Sequence, residues 1–170
     1  MNFTLLSRLM KNQATQAFLG LFLVIALLRC LWLWQPQRQV ILHQDHLLDA
    51  AQERNWKRFD SFIAPNYSDR WGHDKAFLVR ESSEVLRQFF GLTIQRQRIE
   101  CRLNGNTAIV LDRLKLDGKG TALATMATSA VNDLHEPFTF EWKRQSWKPW
   151  DWALVSADQP ELNLDRAGEY

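Results

Sequence analysis

Between Ala17 and Trp34 the sequence carries a single charge, Arg29, and no other feature constrains the chain as strongly. Eighteen residues rising about 1.5 Å each reach about 27 Å, close to the hydrocarbon thickness of a bilayer. Arg29 lies near the end of the run, where a long side chain snorkels to the headgroups, and Trp32 and Trp34 fall where interfacial aromatic residues belong. Pro36 punctuates the exit. The run predicts a transmembrane helix over residues 14–35, preceded by a polar segment, residues 1–13. A cleaved secretory signal would need a small-x-small site after the run, and none follows. A lipoprotein site at Cys30 is disfavoured by the preceding Leu27-Leu28-Arg29, and a buried core helix by the length of the run. Arg8 and Lys11 precede the span, whereas Arg29 and Arg38 lie late in it or after it. The positive-inside rule therefore orients the N-terminus to the cytoplasm and exports the C-terminal domain.

The remainder is close to neutral. Removing Arg8, Lys11 and Arg29 leaves 18 Lys and Arg against all 19 Asp and Glu, a formal charge of −1 for residues 36–170. No basic block interrupts that balance, which argues against a nucleic-acid surface. Cys30 falls in the apolar run and Cys101 in a predicted strand, so the two cysteines offer no disulfide framework and mark no compartment.

Apolar spacing from Ile41 to Ala51 predicts a helix over residues 38–54, with a second short helix to residue 63 that Pro65 ends. Tyr67–Gly72 reads as a brief strand or extended turn. Asp74 is placed to cap a helix from residue 74 to 90, with Gly91 as its C-terminal stop. Everything after Gly91 reads as antiparallel sheet. Residues 92–103 and 107–116 flank a hairpin turn at Asn104-Gly105-Asn106, and Asp117-Gly118-Lys119-Gly120 reads as a second turn before a strand over residues 121–132. Residues 138–144 and 147–157 supply the last two strands, and residues 159–170 a polar tail.

Four of the eight tryptophans crowd into residues 137–156, which poses a choice between a ligand platform and a packed sheet face. Phe138, Phe140 and Trp142 alternate with Thr139, Glu141 and Lys143, and Trp150, Trp152 and Leu154 alternate with Asp151, Ala153 and Val155. Period two puts each aromatic set on one face, where the helices need a partner, so the core reading is favoured. Trp147 breaks the pattern and is the ring expected in solvent.

The order of helices, short strand, long helix and antiparallel strands resembles the nuclear-transport-factor-2-like superfamily. Ala50-Ala51 followed by Asn55-Trp56, then Ala64-Pro65-Asn66-Tyr67, is similar to that family's opening, and Trp147, Trp150, Trp152 and Leu154 to its last two strands. The likeness covers about residues 40–157. It implies an α+β domain over residues 36–158, a cystatin-like cone in which helices pack on a curved antiparallel sheet around a cavity. It implies isomerase, dehydratase and related activities in some members, non-catalytic binding in others, and homodimers through the sheet. A membrane-anchored chain departs from the soluble enzymes.

An enzyme of this shape needs an ionisable side chain aimed into the cone. Asp112 interrupts the apolar face of Ala108, Val110, Leu114 and Leu116 and is the first candidate base. Its competing reading is a bulge that turns it outward, or an ion pair with Arg98 or Arg102. Tyr67 and Asp69, in a cluster with Arg70, Trp71, His73 and Asp74, are the second candidates, set against core-lining and turn roles for the same residues. An apolar ligand would be lined by Trp71, Phe138, Phe140, Trp142 and Trp152. His43 and His46 share a helix face without a third ligand nearby, so no metal is expected, and no glycine-rich phosphate loop or cofactor motif is present. Arg96, Arg98, Glu100 and Arg102 alternate along one strand face, read as solvated or partner-facing. The sequence thus favours a membrane-anchored, non-catalytic binding or assembly module. The alternatives are a lyase or isomerase acting on a small molecule, or a receptor for an apolar ligand.

Overall fold

A computed structural model describes residues 16, 18–29 and 34–162, and the chain divides after Gln35 into two units. The first contains helix α1 (residues 18–29), whose Phe18, Leu19, Phe22, Leu23, Ile25 and Leu28 are all exposed. No helix among the described residues is long and apolar enough to cross a membrane. Residues 14, 15, 17 and 30–33 of the expected span, and the whole polar segment 1–13, lie outside the described residues.

The second unit is α+β. Its elements are α2 (Pro36–Gln52), α3 (Trp56–Ser61), α4 (Lys75–Leu86), β1 (Phe89–Asn104), β2 (Thr107–Gly120), α5 (Ala122–Asn132), β3 (Phe138–Arg144) and β4 (Trp152–Asp158). The four strands form one antiparallel sheet in the order β1-β2-β3-β4. Helix α2 follows the expected stripe: Val40, Leu47, Leu48, Ala50 and Ala51 are buried. They meet Phe59 and Ile63 from the helical side and Ala108, Val110, Phe140, Trp142, Trp152 and Leu154 from the sheet. Alternation in β3 holds as expected, with Phe140 and Trp142 buried and Glu141 and Lys143 exposed. Trp142 is wholly buried, and its indole N–H donates to Gln44 Oε1 at 2.9 Å, so the largest core side chain leaves no polar atom unpaired. Trp147 is 83% exposed, as its break in the pattern predicts.

Four expectations fail. Residues 147–151 are not strand: β4 begins at Trp152, and Trp150, expected on its inner face, is 48% exposed. Residues 122–132 form helix α5, not a strand. Its β-branched Thr and Val mimic strand composition, but four alanines with Leu123 and Met126 favour a helix, and Ala124, Ala127 and Val131 pack at helical spacing on Phe89 and Leu116. Asp117–Gly120 does not turn; it continues β2 against Thr93, Leu92, Gly91 and Phe89. The glycines there answer to close approach, since a Cβ on Gly118 would stand 2.3 Å from the Gly91 carbonyl oxygen, and one on Gly120 2.3 Å from that of Gln88. Helix α4 starts at its Asp74 cap, whose carboxylate accepts from Phe77 N, but ends at Leu86. Phe89 and Phe90 enter β1 because pairing with the end of β2 outweighs their helical continuation, and Gly91 sits at a register shift.

Parts of each open strand edge are met locally, one of the ways edge strands are protected. Beyond β3, the free edge of β2 is met by the Asn132 side chain, which donates to Leu116 O and accepts from Leu116 N at 2.9 and 2.8 Å. Residues 62–68 run beside β4, where Leu154 N donates to Phe62 O, Ala64 N to Leu154 O and Ser68 N to Val155 O. On β1, Ile94 N donates to Gln52 Oε1 of α2 at 2.7 Å. The start of the expected tail is also tied down: Gln159 is buried, donates to Glu136 O, and accepts from Glu161 N and Leu162 N.

Gly118→Ala is expected to lower stability by roughly 1–3 kcal/mol through overpacking, against the usual gain from removing a strand glycine; thermal melting reads the sign. His43 gives a pH test. Its ring packs edge-on to Phe62 and Trp142 and its Nδ1–H donates to Gln39 O at 2.8 Å. Burial lowers its pKa, opposed by the Gln39 carbonyl and helped by neighbouring His46. A depressed folded pKa makes stability full above the unfolded value of about 6.5 and lost as pH falls below it. The melting temperature should therefore drop between pH 7 and 5, with a shallower drop in His43→Gln.

Candidate functional site

The loop between α3 and α4 is organised by one carboxylate. Asp69 Oδ1 accepts from the backbone N–H of Trp71 at 3.0 Å and of His73 at 2.9 Å, and Oδ2 lies 3.0 Å from His73 Nδ1. A bridge between Ser68 and Asp74 and the positive φ of Gly72 (81°) close the turn. The His73 ring stacks on Phe77 with centroids 3.8 Å apart, and Arg70 lies over Trp71 while pairing with Asp158 at 3.3 Å.

Beside this loop is a cleft of about 140 Å³ lined by Tyr67, Asp69, Trp71, Leu78, Phe138 and Leu162. Four of the residues expected at a site, Tyr67, Asp69, Trp71 and Phe138, therefore come together at one end of the domain. Tyr67 is buried; desolvation, and then the charge of Asp69, raise its phenol above the ordinary tyrosine pKa, against the lowering effect of a hydrogen bond to the Ala157 backbone. Leu78, Leu162 and Gln159 complete the walls from distant parts of the chain, and nothing in their local sequence marks them.

The other candidates lie elsewhere. Phe140, Trp142 and Trp152 belong to the packed core, which corrects their expectation as ligand-lining rings: the sheet curves onto α2 and these side chains fill the space. Asp112 does not line the cleft. It is 0% exposed and opposite Arg98 in register, with its two oxygens 3.0 and 3.2 Å from Arg98 Nε and Nη2, the ion-pair alternative to catalysis. Arg98 Nη2 also donates to Asp45 of α2 at 2.8 Å. Burial works against the guanidinium charge, but the bonds from Asp112 and Asp45 prevail and hold its pKa above the ordinary arginine value.

The arginine strand is divided. A bulge between Arg98 and Glu100 reverses the phase of β1 at Ile99. Arg96 and Arg98 turn to Asp45 and Asp49 of α2, while Glu100 and Arg102 pair with each other on the outside. A wider, open depression of about 560 Å³ between Arg113, Lys115 and residues 132–135 contains none of the expected site residues. Among the described residues, no group of three or more His, Cys, Asp and Glu side chains is placed to hold a metal.

No protein-family model and no curated protein matches the sequence. Solved structures do. An NTF2-like protein from Cytophaga hutchinsonii aligns with TM-score 0.50 at 16% identity over 71% of this chain and 94% of its own. A Streptomyces avermitilis protein of the NTF2-like family aligns with TM-score 0.54 at 14% identity over 72% and 93%. Bd1075 of Bdellovibrio bacteriovorus aligns with TM-score 0.52 at 7% identity over 71% of this chain, which spans only 39% of that longer one. At these identities the likeness is one of fold, and the fold of residues 36–162 is NTF2-like.

Proposed function

We propose that this chain is a membrane-anchored, non-catalytic binding or assembly module: residues 14–35 hold it to a bilayer, and its NTF2-like domain, on the exported side, engages a partner. The observation that carries the reading is the state of the cone's interior. Trp142 and Trp152 fill it, and the carboxylate buried among them, Asp112, is paired with Arg98. A catalytic cone needs a free ionisable group beside space for a substrate. The depression of about 560 Å³ at Arg113 and Lys115 holds none of the expected site residues. The cleft that gathers them is about 140 Å³, below the roughly 300 Å³ at which small-molecule sites begin. It suits one apolar side chain of a partner. The anchor is supported by the exposed leucine and phenylalanine side chains of α1 and by the uncharged continuation to Trp34.

The rival reading, a lyase or isomerase of small molecules, rests on the Asp69–His73 contact beside Tyr67. Against it, both Asp69 oxygens are engaged in shaping the turn.

Alkaline carbonate extraction should leave the full chain in the membrane pellet, and its release to the supernatant would sink the anchor. A photo-crosslinking side chain at Trp71 in the membrane-bound protein should yield a discrete polypeptide adduct. Turnover of a small carbonyl compound, abolished by Tyr67→Phe in a folded protein, would instead establish the enzyme. Asp112→Asn is expected to destabilise by roughly 3 kcal/mol, because it leaves Arg98 short of a charged partner, while any folded fraction keeps the Trp71 adduct.

A further inference from the structure

Helix α2 runs antiparallel to β1. Its second residue, Gln37, donates from Nε2 to Cys101 O at 3.1 Å, and its last, Gln52, accepts from Ile94 N. The start of α2 therefore lies at the same end of the domain as the β1–β2 hairpin turn at Gly105–Asn106. Arg144 N donates to Asn106 O at 2.8 Å, which brings the β3–β4 connection, residues 145–151, to that end as well. The apolar run joins the domain at this end by chain connectivity alone, since one residue separates Trp34 from Pro36.

This end has an unusual surface. Trp147 is 83% exposed and Trp150 48%. They stand on an ordered connection: Gln145 N donates to Asp151 O at 2.8 Å, Lys148 N to Ser146 Oγ, and Trp152 Nε1 to Pro149 O at 2.9 Å. Leu103, beside the hairpin turn, is 41% exposed. Residues 143–148 carry Lys143, Arg144 and Lys148 with no acidic residue between them. Among the described residues, neither lysine pairs with a carboxylate within 4.0 Å. Exposed tryptophan beside lysine and arginine is the composition that rests at a headgroup boundary, where the ring sits among the glycerol groups and the cations meet lipid phosphate.

We propose that the β3–β4 connection is a bilayer-contact element: Trp147 enters the headgroup region of the membrane that receives the apolar run, and Lys143 and Lys148 bind anionic lipid. The inference rests on the anchor reading above and adds a second, reversible contact to it. The Tyr67–Trp71 cleft lies at the opposite ends of β3 and β4.

The test uses the full chain in vesicles of phosphatidylcholine, with and without phosphatidylglycerol, carrying brominated acyl chains that quench nearby tryptophan. Trp32 and Trp34 report the anchor in every variant. Trp147→Phe, a change at an exposed ring, is expected to remove part of the quenched emission in anionic vesicles while the part from Trp32 and Trp34 persists. Lys143→Glu with Lys148→Glu should reduce the Trp147 part, with the docked-to-undocked ratio falling roughly fivefold for each positive charge removed. Equal quenching in wild type and Trp147→Phe, with the anchor signal intact, would overturn the contact and leave the anchor standing. So would a Trp147→Phe effect seen only as dissociation of oligomers in sedimentation. Absence of all quenching would remove the anchor and the contact together.

Discussion

Arg98, Asp112 and Asp45 join three elements at one point, and the domain's register depends on that junction. Asp112 lies opposite Arg98 across β1 and β2, and Asp45 reaches the same guanidinium from α2. Burying an ion pair brings little net stability, because desolvation offsets the attraction. Its force is in what it forbids. A one-residue slip of β2 would send Asp112 to the other face and leave Arg98 without its nearest partner. The same pair matches the buried charge of Asp112 with a cation.

The bulge at Ile99 comes directly after this junction. Upstream of it, β1 presents Arg96 and Arg98 to α2; downstream, the phase changes and Cys101 turns inward against the core while Glu100 and Arg102 remain outside. A regular strand would have presented all four charged residues to one side. With the bulge, one long strand serves a salt-bridged seam with a helix and a hydrophobic seam with the core.

Much of this architecture is legible in the chain. The α2 stripe, the Asp74 cap, the Asn104–Asn106 turn and the alternation of β3 are local patterns with local causes. The features that are not legible depend on distant partners. Gly118 and Gly120 look like turn residues until Gly91 and Gln88 are seen pressed against them. Residues 122–132 mix strand-like Thr and Val with helix-favouring alanines, and packing on Phe89 and Leu116, with the hold of Asn132 on Leu116, decides for the helix. The candidate site divides in the same way. Tyr67, Asp69 and Trp71 are neighbours in sequence and stay together in space, and Phe138 joins them. Leu78 and Leu162 reach the cleft from separate elements, and Phe140, Trp142 and Trp152 leave it because the curvature of the sheet turns them onto α2.

The placement of Phe138 and Arg144 at opposite ends of one strand has a mechanical meaning. A seven-residue strand is about 20 Å long, and its two ends cannot approach one another without breaking the sheet. The domain is therefore a rigid ruler: whatever occupies the cleft works at a fixed stand-off of about two nanometres from whatever holds the connection at residues 145–151. Under the binding-module proposal, a partner held at that connection needs a reach of about two nanometres to fill the cleft, so separation would select it as much as surface chemistry.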